Sequence, residues 1–197
     1  MMRRPQPRMP SLSSGNASVY QLKITLQETQ PPVWRRLQVP ATMRLDRLHR
    51  AIQVAMGWTT SHLHEFVIAG RRYGEPDVNE LRSNTVPERT VTLGEVAPGE
   101  NGRFTYVYDF GDHWAHEVLV EKLLAAEPTG RYPICLAGER CCPPEDCGGI
   151  PGYEEFLEAI RNPHHPQHAE MRDWIGDHFD PSAFSVDAVN RALRRVK

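Results

Sequence analysis

Apolar and polar positions alternate along Val19–Gln27 and Val33–Val39, and both stretches carry β-branched residues. The alternation predicts two strands, broken by Pro31-Pro32 and paired antiparallel. A third strand is predicted at His64–Ala69, with Gly70-Arg71 turning the chain toward Tyr73. The clearest pair is Phe104–Phe110 with Trp114–Leu123, where Gly111-Asp112 suits a two-residue hairpin turn. In that register Asp109 opposes Trp114. Thr105, Val107, Asp109, Trp114, His116 and Val118 then share one face, and Phe104, Tyr106, Tyr108 and Phe110 the other. Asp109 and His116 become diagonal neighbours within side-chain reach. Thr90–Leu93 reads as a short strand in the polar connection 74–102.

Elsewhere the period is helical. Leu45, Leu48, Ile52 and Ala55 predict a helix over Arg44–Met56, with Thr42 as cap and Gly57 just past its end. Tyr153, Phe156, Leu157 and Ile160 predict a helix over Gly152–Arg161, stopped by Asn162-Pro163. Pro166 opens another, with Met171, Trp174 and Ile175 inward and Gly176 closing it. Ser185 caps a last helix through Val186, Val189, Leu193 and Val196. Strands first and helices last point to an α+β fold: a single domain with a mixed or mostly antiparallel sheet, an early helix and three C-terminal helices. The Pro-, Ser- and Arg-rich segment 1–17 reads as a disordered leader, and 18–197 as the domain.

Composition narrows the partners. The formal net charge of −2 gives no global field toward nucleic acid or a membrane. No apolar run approaches the roughly 20 residues of a membrane helix. Arg3, Arg4 and Arg8 are not followed by an apolar stretch, so a cytoplasmic location is expected. In that compartment clustered cysteines point to metal or to reduced thiols rather than to disulfides.

All four cysteines fall in YPICLAGERCCPPEDCGGIPGY, Tyr132–Tyr153, a stretch that reads as a folded loop rather than a strand or helix. Cys135 and Cys142, with His116 and one of His62 or His64, form a mixed thiolate and imidazole set suited to Zn2+. The alternative is buried thiols packing a rigid loop. Asp109, Asp112, Glu145 and Asp146 are the candidate catalytic or metal-binding acids. Each also has an ordinary role: Asp109 and Asp112 in holding turn amides, Glu145 and Asp146 in capping the following helix. His62-x-His64 places two imidazoles on one face if that stretch is a strand. Arg35, Arg36, Arg44, Arg47 and Arg50 either line phosphates, with Trp34 and Trp58 stacking, or form a solvated face. No phosphate loop, dinucleotide fingerprint or nucleophile elbow occurs.

The run YQLKITLQETQPPVWRRLQVP, the blocks YDFGDHWAH and CPPEDCGGIPGY, and DPSAFSVDAVNRAL resemble the plasmid ORF-three-like family first named from an Ri plasmid. Some members carry the label of insertion-element passenger, TnpR type. The resemblance spans about Val19–Leu193 and implies a single α+β domain with no settled activity. No serine-recombinase catalytic set accompanies the label. The family pattern has one cysteine before PPED, which favours Cys135 and Cys142 over Cys141 and Cys147. Three readings follow. The first is a non-enzymatic module tied to mobile elements that binds nucleic acid or a protein partner. The second is a metal-dependent, hydrolytic enzyme whose site joins the hairpin, the H-x-H strand and the cysteine loop. The third gives these motifs folding roles only.

Overall fold

The computed structural model describes residues 18–76, 84–176 and 179–196, so the expected leader lies outside the described residues. The order of elements is β1 (Ser18–Leu26), β2 (Trp34–Pro40), α1 (Leu45–Met56), β3 (His64–Ile68), β4 (Arg71–Gly74) and β5 (Val86–Pro87). A 3-10 turn, Glu88–Thr90, leads to α2 (Leu93–Val96), β6 (Arg103–Tyr108), β7 (Trp114–Ala125) and β8 (Ile134–Glu139). Three helices follow: α3 (Gly149–Arg161), α4 (His168–Ile175) and α5 (Val186–Leu193). The strands form one eight-stranded sheet in the order β5-β4-β3-β6-β7-β1-β2-β8. Neighbours are antiparallel except β4 and β5, so the domain is α+β with a mixed sheet.

Alternation puts one face of this sheet in the core. Leu22, Ile24 and Leu26 of β1, Leu37 and Val39 of β2, and Val118 and Val120 of β7 are buried there. Between them, polar side chains face outward: Arg36 donates to both carboxylate oxygens of Glu121 at 2.6 and 2.8 Å, and Gln21 donates to the same group at 2.9 Å. One face dry and one face wet is what an antiparallel sheet permits. Helix α1 covers part of the dry face with Leu45, Leu48, Ala51, Ile52 and Ala55, and Gly57 closes it in the left-handed region at φ 108.

Five expectations need correction, besides that for Trp174, expected inward but 49% exposed on α4. The hairpin is longer than Gly111-Asp112: Asp109 and His113 both take positive φ, 58 and 56, and Tyr108 rather than Asp109 opposes Trp114. A one-residue change of register exchanges the faces of one strand relative to its partner. Trp114, His116 and Val118 therefore join Phe104, Tyr106 and Tyr108 on the buried side, and His116 opposes Tyr106 instead of approaching Asp109. Second, the cysteine loop contains a strand: β8 adds to the edge of β2, pairing Cys135 with Leu37. Third, β3 begins at His64, so His62 lies before the strand. Fourth, Thr42 does not cap α1: the position falls to Arg44, without a side-chain cap, and the Leu45 N–H donates to the Val91 carbonyl at 3.1 Å. Fifth, Thr90–Leu93 is no strand. It runs from the 3-10 turn through a single bridge, Thr92 to Arg44, into α2.

Candidate functional site

The cysteine loop does fold over the hairpin, but carboxylates rather than thiols meet there. The Trp58 indole N–H donates to the Pro143 carbonyl at 3.0 Å, which pins the loop above the aromatic core. Glu145 is then held from below. Its Oε1 accepts from the Thr59 N–H at 2.8 Å, the Thr59 hydroxyl at 3.0 Å and the Tyr108 hydroxyl at 3.1 Å. Burial pushes the Tyr108 hydroxyl up to about 12, so it stays protonated and donates. Asp112 reaches across the hairpin end to accept the Gly148 N–H at 3.2 Å, just where α3 begins. The approach is close enough that a Cβ on Gly149 would stand 2.6 Å from the Asp112 carbonyl oxygen, which explains glycine there. Neither Glu145 nor Asp146 takes the capping role expected of them: Gly148 begins α3 with no side-chain cap.

Asp109 does two things. Its Oδ1 accepts from the Gly111 and Asp112 N–H groups at 2.9 and 3.3 Å, the ordinary role of an aspartate in a turn. Its Oδ2 lies 3.7 Å from His62 Nδ1. On the other edge of the imidazole, Nε2 is 3.2 Å from Asp146 Oδ1 and 3.8 Å from Glu145 Oε2. Close as Asp146 is, it lacks hydrogen-bond alignment, and His62 Nε2 is a buried nitrogen without a hydrogen-bond partner. Asp109 and Asp146 both sit at positive φ, 58 and 56, a region costly for residues other than glycine though least so for Asp and Asn. His62, Asp109 and Asp146 each offer a ligand atom within 4.8 Å of the others. Among the described residues no second such group occurs.

The thiols, in particular, do not assemble with imidazole into one. All four cysteines are free. The Cys135 thiol donates to the Ala137 carbonyl at 3.5 Å, and burial pushes its pKa up. The Cys141 and Cys142 thiols share a hydrogen bond, which lowers Cys141 and, with burial, raises Cys142. Burial, then the charge of Asp112, pushes Cys147 up to about 12. His116 is wholly buried against Trp58 and Tyr106, and burial pulls it down to about 4, so it is a neutral core residue. Nor do the arginines share a surface. Arg35 is buried, Arg36 is paired with Glu121, and Arg44 is paired with Asp46 at 2.7 Å. Arg47 is half-buried, and Arg50 is exposed on the rim of a cavity. Trp58 is buried and so has no open face for a base.

His64, once apart from His62, stacks on a residue that the sequence reading passed over. The His49 and His64 ring centroids are 3.4 Å apart with an interplanar angle of 5°. His64 Nε2 meets Glu88 at 2.8 Å, and both histidines, with His62, line a cavity of about 840 Å3. A signal for His49 existed: it stands four residues after Leu45 and three before Ile52, on the inner stripe of α1.

Comparison with known proteins returns relatives described as uncharacterised or of unknown function. The family model for plasmid pRiA4b ORF-3-like proteins matches residues 18–188. An uncharacterised protein of Sinorhizobium fredii, y4hQ, is 42% identical over 179 residues, 90% of this chain and 91% of that protein. The crystal structure of a protein of unknown function from Methanosarcina mazei Go1 is similar at a TM-score of 0.81 and 37% identity, over 88% of this chain and 98% of that one.

Proposed function

Because the chain belongs to the plasmid pRiA4b ORF-3-like family, whose named relatives are uncharacterised, its work has to be read from its own side chains, and we propose that His62, Asp109 and Asp146 bind a divalent metal ion that serves a hydrolytic reaction. One observation carries this reading. The His62 ring stands between carboxylates, Asp109 at Nδ1 and Asp146 with Glu145 at Nε2, yet Nε2 makes no aligned hydrogen bond to Asp146 or Glu145. A buried ring nitrogen without a partner is costly unless something else meets it. At bond lengths near 2.1 Å the ligand atoms of a tetrahedral zinc ion stand about 3.4 Å apart, so a group within 4.8 Å would have to close by up to about 1.4 Å to hold one. One imidazole with two carboxylates suits Zn2+, the ion expected here, and the set lacks the thiolates first assigned to it.

When bound, such an ion lowers the pKa of a coordinated water and supplies a nucleophile. The residues around it have their own tasks. Asp109, fixed by two turn amides through one oxygen, holds the other toward the imidazole. Glu145 keeps Oε2 beside His62 while Thr59 holds Oε1 and the Tyr108 hydroxyl spans both oxygens, at 3.1 and 3.2 Å, which places a carboxylate to take a proton from water.

The test is calorimetric titration of chelator-treated protein with Zn2+ and Mn2+, with elemental analysis of the purified chain. One equivalent is expected. Asp146→Asn should lower affinity on the order of 10- to 100-fold while leaving the melting temperature nearly unchanged, since Asp146 is 73% exposed in its side chain. No saturable binding of either ion would end the proposal.

A further inference from the structure

The cavity beside His62 lies between α1, β3, β4 and the 3-10 turn. His49 on its wall is 4% exposed, and its Nε2 has no hydrogen-bond partner. The tautomer follows from the donors around Tyr106. Gln53 donates to the Tyr106 hydroxyl oxygen at 2.9 Å, and that hydroxyl stands 2.8 Å from His49 Nδ1. The Tyr106 proton therefore goes to Nδ1, and the proton of the neutral ring sits on Nε2. Burial keeps the ring neutral by pulling its pKa down to about 3. The result is a fixed N–H donor with no acceptor among the described residues.

The rest of the wall says what would accept it. The acids are mostly engaged: Glu65 with Arg72 at 3.5 Å, Glu88 with His64 at 2.8 Å and Asp46 with Arg44 at 2.7 Å; Glu75 is the exception. Among the described residues Arg50 and Arg89 have no acidic partner, and both are exposed on the cavity wall. Leu63 and Phe110, 62% and 51% exposed, complete the rim with apolar surface that nothing among the described residues covers.

We propose that this cavity binds a phosphate monoester with an apolar or aromatic organic group. Its phosphoryl oxygens accept from His49 Nε2–H and from the Arg50 and Arg89 guanidiniums, and its organic group lies on Leu63 and Phe110. Two guanidiniums match the dianion, and a neutral third donor adds direction without a third charge. A cavity of about 840 Å3 has room for such a molecule. The proposal names the substrate class of the His62 group, which lines the same cavity; it rests on the metal reading for the chemistry but not for the binding.

The experiment titrates phenyl phosphate into the full chain at pH 7.5 after chelation, following the imidazole N–H resonances and the calorimetric Kd. Saturable binding with a shift at His49 Nε2–H is expected, with inorganic phosphate weaker by on the order of tenfold. Arg89→Ala should weaken both probes on the order of tenfold, and Phe110→Ala should bring phenyl phosphate down to the level of inorganic phosphate. The proposal is overturned if neither probe saturates, or if binding leaves His49 unmoved and is indifferent to Arg89→Ala. The titration contains no metal, so a failed zinc titration leaves its result standing. Zinc that binds while phenyl phosphate does not overturns this proposal alone.

Discussion

Arg35 and His62 both hold side-chain nitrogens away from water, and their surroundings treat them in opposite ways. Arg35 is 1% exposed, and its guanidinium donates to the carbonyls of Ala55, Trp34, Glu139, Met56 and Arg140 at 2.6 to 3.5 Å, beneath the Phe184 ring. Those carbonyls belong to the end of α1, to β2 and to the end of β8, so one side chain ties three elements together. His62 has carboxylates on both edges and an unaligned Nε2. A network with every donor matched specifies a fold; a nitrogen left unmatched among carboxylates on a cavity wall is a place for a ligand. The cysteine loop supplies residues to both corners, and this difference separates its thiol end from its acid end.

Truncation at the two corners should break this contrast if it is wrong, and here the largest effect is expected. Arg35→Met strands several carbonyls of α1 and β8 and should cost about 3–5 kcal/mol in urea unfolding. Arg35→Lys should recover only part of it, because an ammonium lacks the planar fork that reaches both elements. His62→Gln should cost less than about 1 kcal/mol, as its ring completes no hydrogen-bond network. Equal losses at both positions would show that His62, too, is structural.

Acidification probes the buried imidazoles on the same scale. Burial pulls His116 down to about 4 and His49 down to about 3. In the unfolded chain both return to about 6.5, so between these values the unfolded state binds more protons than the folded one. Stability is then whole above pH 6.5 and falls as the pH drops toward 4. His116 alone should account for about 3 kcal/mol of that loss, at about 1.4 kcal/mol per pH unit. His116→Phe, if it folds, should flatten the profile of denaturation midpoint against pH. A profile unchanged by that substitution would mean that His116 reaches solvent in the folded state.

The contrast also shows what pattern alone reveals. The strands of β1, β2, β6 and β7 and the three late helices were legible because alternation and the 3.6 period each have one solution once a face must be dry. The junction of hairpin and loop was legible as a neighbourhood, since Pro143, Pro144, Gly148 and Gly149 leave the backbone few paths. Its donors were not. Which residues met there turned on a single register step, set by the positive φ of Asp109 and His113, and on β8 adding to an edge. Burial could not be read for Arg35 either: a charge enters a core only when distant carbonyls wait for it. Sequence spacing does not display such partners.

The smallest effect is expected from the thiols, and it discriminates most sharply between the two ends of the loop. Cys135, Cys141 and Cys142 lie within the field of the Arg35 guanidinium, whose pKa burial lowers and the thiols raise. Cys141 is half-buried and, hydrogen-bonded by Cys142, is held below the usual thiol range, whereas Cys135, Cys142 and Cys147 are all raised. Iodoacetamide at pH 7.5 should therefore modify Cys141 first, by peptide mass mapping, because the thiolate is the reacting form. Cys141→Ser and Cys135→Ser should each leave zinc affinity within about twofold, since neither sulfur belongs to the group around His62. A thiol variant that abolished zinc binding would move the metal from the carboxylates to the sulfurs, and the unaligned nitrogen of His62 would then need another explanation.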